Sequence, residues 1–354
     1  MKKLTIAIAV SSALISGASF AGNVDTMIFQ NADDNDVTVT QNTYGGANPA
    51  DGNKARETII YGDDNKIDIL QTGKRNVSKT AVNGTPGKKS NRNKLNVDQE
   101  GNDNRANIAI NGGKSDDNKL SIVQEGDDNK SKITLEKKAD RNVAKVKIHG
   151  TAFGQSSDGN RTTSTFGKGA DDNRLNIDIE KGAYNIVRTS VANHSDDNKA
   201  KVAIHYGLEN KVVIAQDGDY NRAKVNLEVA GFNKVGIDQD GEGNLAKVDM
   251  HWAGDNDVNI DQYGDDNTAK VDISYGLFND VNIDQDGHDN KAKVDIHHGS
   301  GNDVDIDQTG HHATANVSLY HSNYNMIDVT QNNNDSSTIT ANYSNNNSAI
   351  VVQN

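Results

Sequence analysis

The feature that most constrains this chain is a period. Gln216, Gln239, Gln262, Gln285, Gln308 and Gln331 follow one another at intervals of 23 residues. The intervening blocks read NKVGIDQDGEGNLAKVDMHWAGD, NDVNIDQYGDDNTAKVDISYGLF and NDVNIDQDGHDNKAKVDIHHGSG. Self-similarity at a fixed spacing of this size belongs to solenoids, propellers and arrays, in which each repeat buries its apolar face only against its neighbours.

Each block contains two shorter units. Asn210, Asn221, Asn233, Asn244, Asn256, Asn267, Asn279, Asn290 and Asn302 alternate at steps of 11 and 12. After each Asn the chain alternates strictly. Asn233, Val235, Ile237 and Gln239 share one side of an extended strand, and Lys234, Gly236 and Asp238 the other. Apolar–polar alternation with period two marks a half-buried β-strand. The inward positions predict an apolar core of Val235, Ile237, Val248, Val258, Ile260, Val271, Ile273, Val281, Ile283, Val294 and Ile296. What separates the strands is Gly, Asp, Asn or His, which favour turns. Gly218, Gly241, Gly264 and Gly287 are the expected turn glycines, since glycine alone enters a tight reversal without steric cost.

The expected fold is therefore all-β: a β-solenoid of stacked β-arches in cross-β arrangement, with about 13 rungs of two strands and a 22–23-residue repeat. The pattern runs from Asn35 to Asn347, and extra residues near 42–52, 83–91 and 150–160 read as longer arcs. Residues 332–346 are rich in Asn and Ser and slip by one position. Four aliphatic side chains per rung bury too little to order 23 residues alone, so a rung is stable only inside a stack.

Buried amides are costly unless paired. In a stack, each side chain sits over its equivalent one rung below, so the amide of one Gln donates to the carbonyl of the next. Gln41, Gln71, Gln99, Gln124, Gln216, Gln239, Gln262, Gln285, Gln308, Gln331 and Gln353, with the Asn series above, are the candidate ladder residues.

The chain opens MKKLTIAIAVSSALISGASFAG. Two lysines, a short apolar run and a small-residue site read as a secretory signal over residues 1–21, cut after Ala21, with one solenoid domain over 22–354. The apolar run is too short for a membrane span. There is no Cys, which excludes disulfides and thiol chemistry. Net charge is −13, and losing Lys2 and Lys3 with the signal takes it to −15, a balance that argues against nucleic acid as partner. Mean hydropathy of −0.76 would suggest disorder were the alternation absent. The pattern reaches Gln353 without a polar capping repeat, so the chain reads as a subunit whose ends template further copies.

At these residues the chain resembles the curlin family, the secreted subunits of bacterial curli amyloid fibres. Asn233 to Gln239 is Asn-x5-Gln, Gln239 to Asn244 is Gln-x4-Asn, and Gln30, Asn35 and Gln41 keep the same spacing. Second strands ending in Leu227, Met250, Ile273 and Ile296 depart from the family pattern, which has Gln there. The resemblance implies a self-assembling homopolymer, a nucleator subunit as partner, export through a curli-type outer-membrane machinery, and a role in biofilm, adhesion and cell aggregation. A monomeric cell-surface solenoid adhesin, or a Ca²⁺-dependent binding protein, stays open beside it. GDDN turns at 62–65, 126–129 and 264–267 set carboxylates in rows, as Ca²⁺-binding β-rolls do, but without their nine-residue repeat. The ten His fall at turns or strand ends. GKKS at 87–90 has Lys89 where a phosphate loop needs Ser or Thr. No enzyme, cofactor or metal centre is expected.

Overall fold

The computed structural model describes residues 9–10, 23–43, 49–149, 158–321, 323–340, 342 and 345–353. The expected signal and its cut lie outside these residues, except that Ala9 and Val10 run parallel to Thr38 and Val39. The expected arcs 42–52 and 150–160 lie outside them at 44–48 and 150–157. The chain falls into two compact units, Met1–Ala183 and Tyr184–Asn354.

In the second unit each rung is a strand, an arch, a second strand and another arch. First strands such as Lys211–Asp217, Lys234–Asp240, Asp257–Asp265, Asp280–His288 and Asp303–His311 lie side by side in parallel. Second strands such as Arg222–Glu228, Leu245–His251 and Thr268–Asp272 form a second parallel sheet. Register is strict: Val235 pairs Val258, which pairs Val281, which pairs Val304. A one-residue slip would turn Val235 and Ile237 outward and Lys234 inward, so the buried pattern fixes the register. Later second strands shorten to Lys291–Lys293, Thr314–Asn316 and Ser336–Thr338. Rung bonds continue past them all the same, as from Ile296 N to Asp272 O at 3.2 Å.

The first unit repeats this plan less evenly. Its first strands run from Val24–Gln30 to Arg161–Phe166, and its second strands from Asp36–Asn42 to Arg174–Asp178. Here the sequence-derived 22–23-residue repeat does not hold: Val24 pairs Lys54, Val77 pairs Arg105, and Lys130 pairs Arg161. The strands keep their register and the surplus falls in arches. One such arch holds a tight reversal: Thr85 and Lys88 exchange backbone bonds of 3.0 and 2.8 Å across Pro86 and Gly87, whose φ is 71°. Pro followed by a positive-φ Gly is the type II turn pair.

Between the two sheets of each unit lies a thin core. Val235, Val248, Val258, Ile260, Val271, Ile273, Val281, Ile283, Val294 and Ile296 are wholly buried, and Ile237 nearly so. Large aliphatic and aromatic side chains fill the same positions in the first unit, among them Ile59, Ile108, Leu135 and Phe166.

Candidate functional site: amide ladders, arches and outer faces

The second unit carries one continuous glutamine row. Nε2 of Gln216 donates to Oε1 of Gln239 at 3.0 Å, and the relay passes through Gln262, Gln285, Gln308 and Gln331 to Gln353 at 2.8–3.0 Å. The other hydrogen of each Nε2 reaches a backbone carbonyl, as from Gln262 to Leu245 O at 3.2 Å. This double use removes the cost of a buried amide. The first unit has a second, shorter row, Gln41–Gln71–Gln99–Gln124, at 2.7–2.9 Å.

The two rows sit on different strands of the rung. In the first unit Gln closes the second strand; in the second unit it closes the first. The opposite strand then ends in an aliphatic row, Leu227–Met250–Ile273–Ile296 in the second unit, all wholly buried. Each unit thus sets one amide row against one apolar row.

Asparagines close the arches in two ways. Where the preceding strand ends in an aliphatic residue, Asn Oδ1 accepts from both the backbone N–H and the amide of the next Asn. Asn233 gives 3.1 and 3.0 Å to Asn210, and Asn256, Asn279 and Asn302 repeat it. Where the preceding strand ends in Gln, Oδ1 takes only the backbone N–H, as from Asn244 to Asn221 at 3.0 Å. The amide then donates to a glycine carbonyl of the next rung, Gly264 O for Asn244 and Gly287 O for Asn267. Asn290 completes this series, with Ala313 N donating to its Oδ1 at 3.0 Å.

Those glycines admit no other residue. Gly218, Gly241, Gly264 and Gly287 have φ of 87°, 123°, 100° and 125°. A Cβ on Gly264 would stand 2.2 Å from Gly287 O. Both the conformation and the close approach of the next rung exclude a side chain.

The GDDN turns acquire a role residue by residue. In 264–267, Gly264 reverses the chain, Asp265 Oδ1 accepts from Glu242 N at 2.9 Å, Asp266 takes φ 55°, and Asn267 joins the ladder. In 62–65 Asp63 Oδ1 accepts from Asp33 N at 3.0 Å and Asp64 bends at φ 55°. The first Asp caps a neighbouring N–H, the second tolerates the left-handed turn, and the Asn carries the stack. Among the described residues no group of three or more His, Cys, Asp or Glu is arranged to hold a metal ion. Lys89 of the GKKS stretch pairs with Asp63.

The outer faces were not resolved by sequence. First strands of the first unit turn Lys54, Arg56, Lys79, Arg105, Lys130, Lys132 and Arg161 outward and no acid. First strands of the second unit do the reverse. Rows such as Asp238–Asp261–Asp284–Asp307 and Asp257–Asp280–Asp303 stack at rung spacing, with Asp305, Asp328 and Asp286 between them. Burial, then the facing Asp261, Asp240 and Asp217, push the Asp238 carboxyl above its ordinary range. Burial and stacked neighbours do the same to Asp280, Asp284 and Asp307. Opposite this face, the Lys224, Lys247, Lys270 and Lys293 row is partly balanced on its own sheet, for example Lys247 to Asp249 at 3.4 Å.

Aromatic residues were expected to play no part on the surface, yet the second unit exposes them at its arches. Phe232, Trp252, Tyr275, Phe278 and Tyr324 are 54–69% exposed and all take positive φ between 49° and 60°. Histidine joins these rows: Tyr275 stacks on His298 at 5.1 Å, and His298 on His321 at 4.8 Å.

Residues 279–310 match the family model described as the curlin associated repeat. The match spans one full rung, Asp280–His288 with Lys291–Lys293, and most of the next first strand. No curated protein matches the chain.

Proposed function

We propose, from the premise that this is a curlin-repeat protein, that the chain is an exported structural subunit. In this reading it stacks end to end with further copies into an extracellular amyloid fibre of a biofilm matrix. Its role is mechanical and adhesive, not catalytic. The secretory signal, the outer-membrane export route and a nucleating partner belong to the same reading.

The observation that carries it is the glutamine row. It has one chemistry at every step from Gln216 to Gln353, so each rung offers the next what the previous one offered it. Oε1 of Gln353 is taken by Gln331, and its Nε2 donates to Ser336 O at 3.3 Å. The second hydrogen of that Nε2 has no partner among the described residues. Strand Ser348–Val352 likewise pairs on one side only, with Met326–Gln331. Another copy's rung would continue both the backbone ladder and the amide row.

Quiescent incubation of the chain, with and without sonicated preformed fibres, tests this. The expected result is unbranched fibres in electron micrographs and a lag phase shortened by seeds. A chain that stays soluble and folded with seeds present overturns it and leaves the monomeric surface solenoid.

A further inference from the structure

The strand faces of the two units carry opposite charge. In the first unit, Val77, Lys79, Arg105, Lys130, Lys132 and Arg161 line an open groove of about 520 Å³. Among the described residues these cations have no acid within ion-pair distance, unlike Arg75, Arg92 and Arg141 at the arches, which each pair with an Asp. The second unit's Asp238–Asp261–Asp284–Asp307 row is equally uncompensated. The nearest cation on its face, Lys234, is taken by Asp257 at 2.7 Å. Both faces are built from parallel, in-register strands, so both repeat at about 4.8 Å.

We propose that the acidic first-strand face of residues 184–354 docks laterally on the basic first-strand face of residues 1–183 of a second copy. Equal pitch sets Lys and Arg rows against Asp rows along the whole contact, so every rung adds the same pairing. Stacked like charges repel within each face. A face of opposite sign relieves that repulsion on both sides at once, and complementary potentials also fix which surfaces meet. Ladder growth adds rungs along the stack; this contact joins stacks side by side. It rests on the fibre reading above and assigns the sides of the fibre rather than its ends.

The test separates the two. Fibres of the full chain are grown at low salt, and electron microscopy measures the fraction lying in bundles. Bundling is expected at low salt and lost in about 1 M salt, where the screening length is about 3 Å. A variant with D238N, D261N, D284N and D307N, and another with K79Q, R105Q, K130Q and K132Q, are each expected to keep growing fibres. Each is expected to lose bundling on the order of tenfold. Mixing a D261K/D284K variant with a K79D/K132D variant is expected to restore it. Bundling indifferent to salt and to both neutralised variants overturns the proposal. So does bundling abolished by a chelator or by nuclease, which would make the occupant a divalent cation or a polyanion. If the chain forms no fibres, the fibre reading fails separately, and sedimentation velocity reads the contact instead. Salt-sensitive self-association supports it, and a monomer at every salt concentration overturns it.

Discussion

At the scale of single residues, the buried polar groups decide how the stack responds to change. Gln262 donates to Gln285 and accepts from Gln239. Replacing it alone with Leu strands a buried donor above and a buried acceptor below. The expected loss is about 1–3 kcal/mol in denaturant unfolding. Replacing the whole row from Gln216 to Gln353 with aliphatics is expected to be much closer to neutral per residue. The wholly buried Leu227–Met250–Ile273–Ile296 row already works that way on the opposite strand. Glu57 is the contrary case. It points inward between Ala55 and Ile59, and neither carboxylate oxygen has a hydrogen-bond partner. Burial first, and the neighbouring Asp25 second, push its pKa up to about 9. The folded state therefore holds a proton that the unfolded state releases near the ordinary Glu range. Stability falls as pH rises from that range to about 9. Glu57→Ile is expected to stabilise the first unit by about 1–3 kcal/mol at neutral pH and to flatten this slope. Unfolding midpoints measured from pH 5 to 9 read both effects; an unchanged slope would contradict the assignment.

At the scale of the element, the arch is the demanding part. Gly264→Ala must place a Cβ at φ 100° and against Gly287 O. A loss of at least about 1–3 kcal/mol is expected in equilibrium unfolding, more than the same substitution causes at Gly87, where nothing lies within 4 Å of the added carbon. The strands themselves were legible because alternation carries the same information that burial enforces: Val235, Ile237 and Gln239 read inward and are inward. The turn glycines and the glutamine spacing were legible for the same reason. Glu57 was not, because alternation says which side a residue takes and not whether that side tolerates its chemistry. The arch aromatics escaped as well. Trp252 and Phe278 are not turn formers, and they hold φ of 49° and 56° because the rungs on either side fix the path of the arch. The opposed charges of the outer faces required knowing which strands share a sheet. Lys79 and Lys132 are 53 residues apart in sequence but lie two strands apart in the sheet, each aligned with Asn107 of the strand between them.

At the scale of the molecule, charge and stacking act together. Asp238, Asp280, Asp284 and Asp307 all have carboxyls held above their ordinary range, by burial first and by stacked neighbours after it. A raised folded-state pKa in an acid means a penalty present at neutral pH that lifts as pH falls toward the ordinary carboxylate range. The second unit is expected to become more resistant to denaturant on mild acidification, and the D238N/D261N/D284N/D307N variant to lose that response. Hydrogen exchange of amides in 257–311, followed from pH 7 to pH 5 and corrected for intrinsic rate, checks it. The larger claim is that one rung specifies the next, within a copy and between copies. Fibre diffraction on aligned fibres of the chain tests that claim most directly. The account predicts a meridional reflection near 4.7–4.8 Å with an equatorial spacing near 10 Å. Ordered fibres lacking that meridional reflection would mean that the copies meet through some surface other than their rungs, and would contradict it.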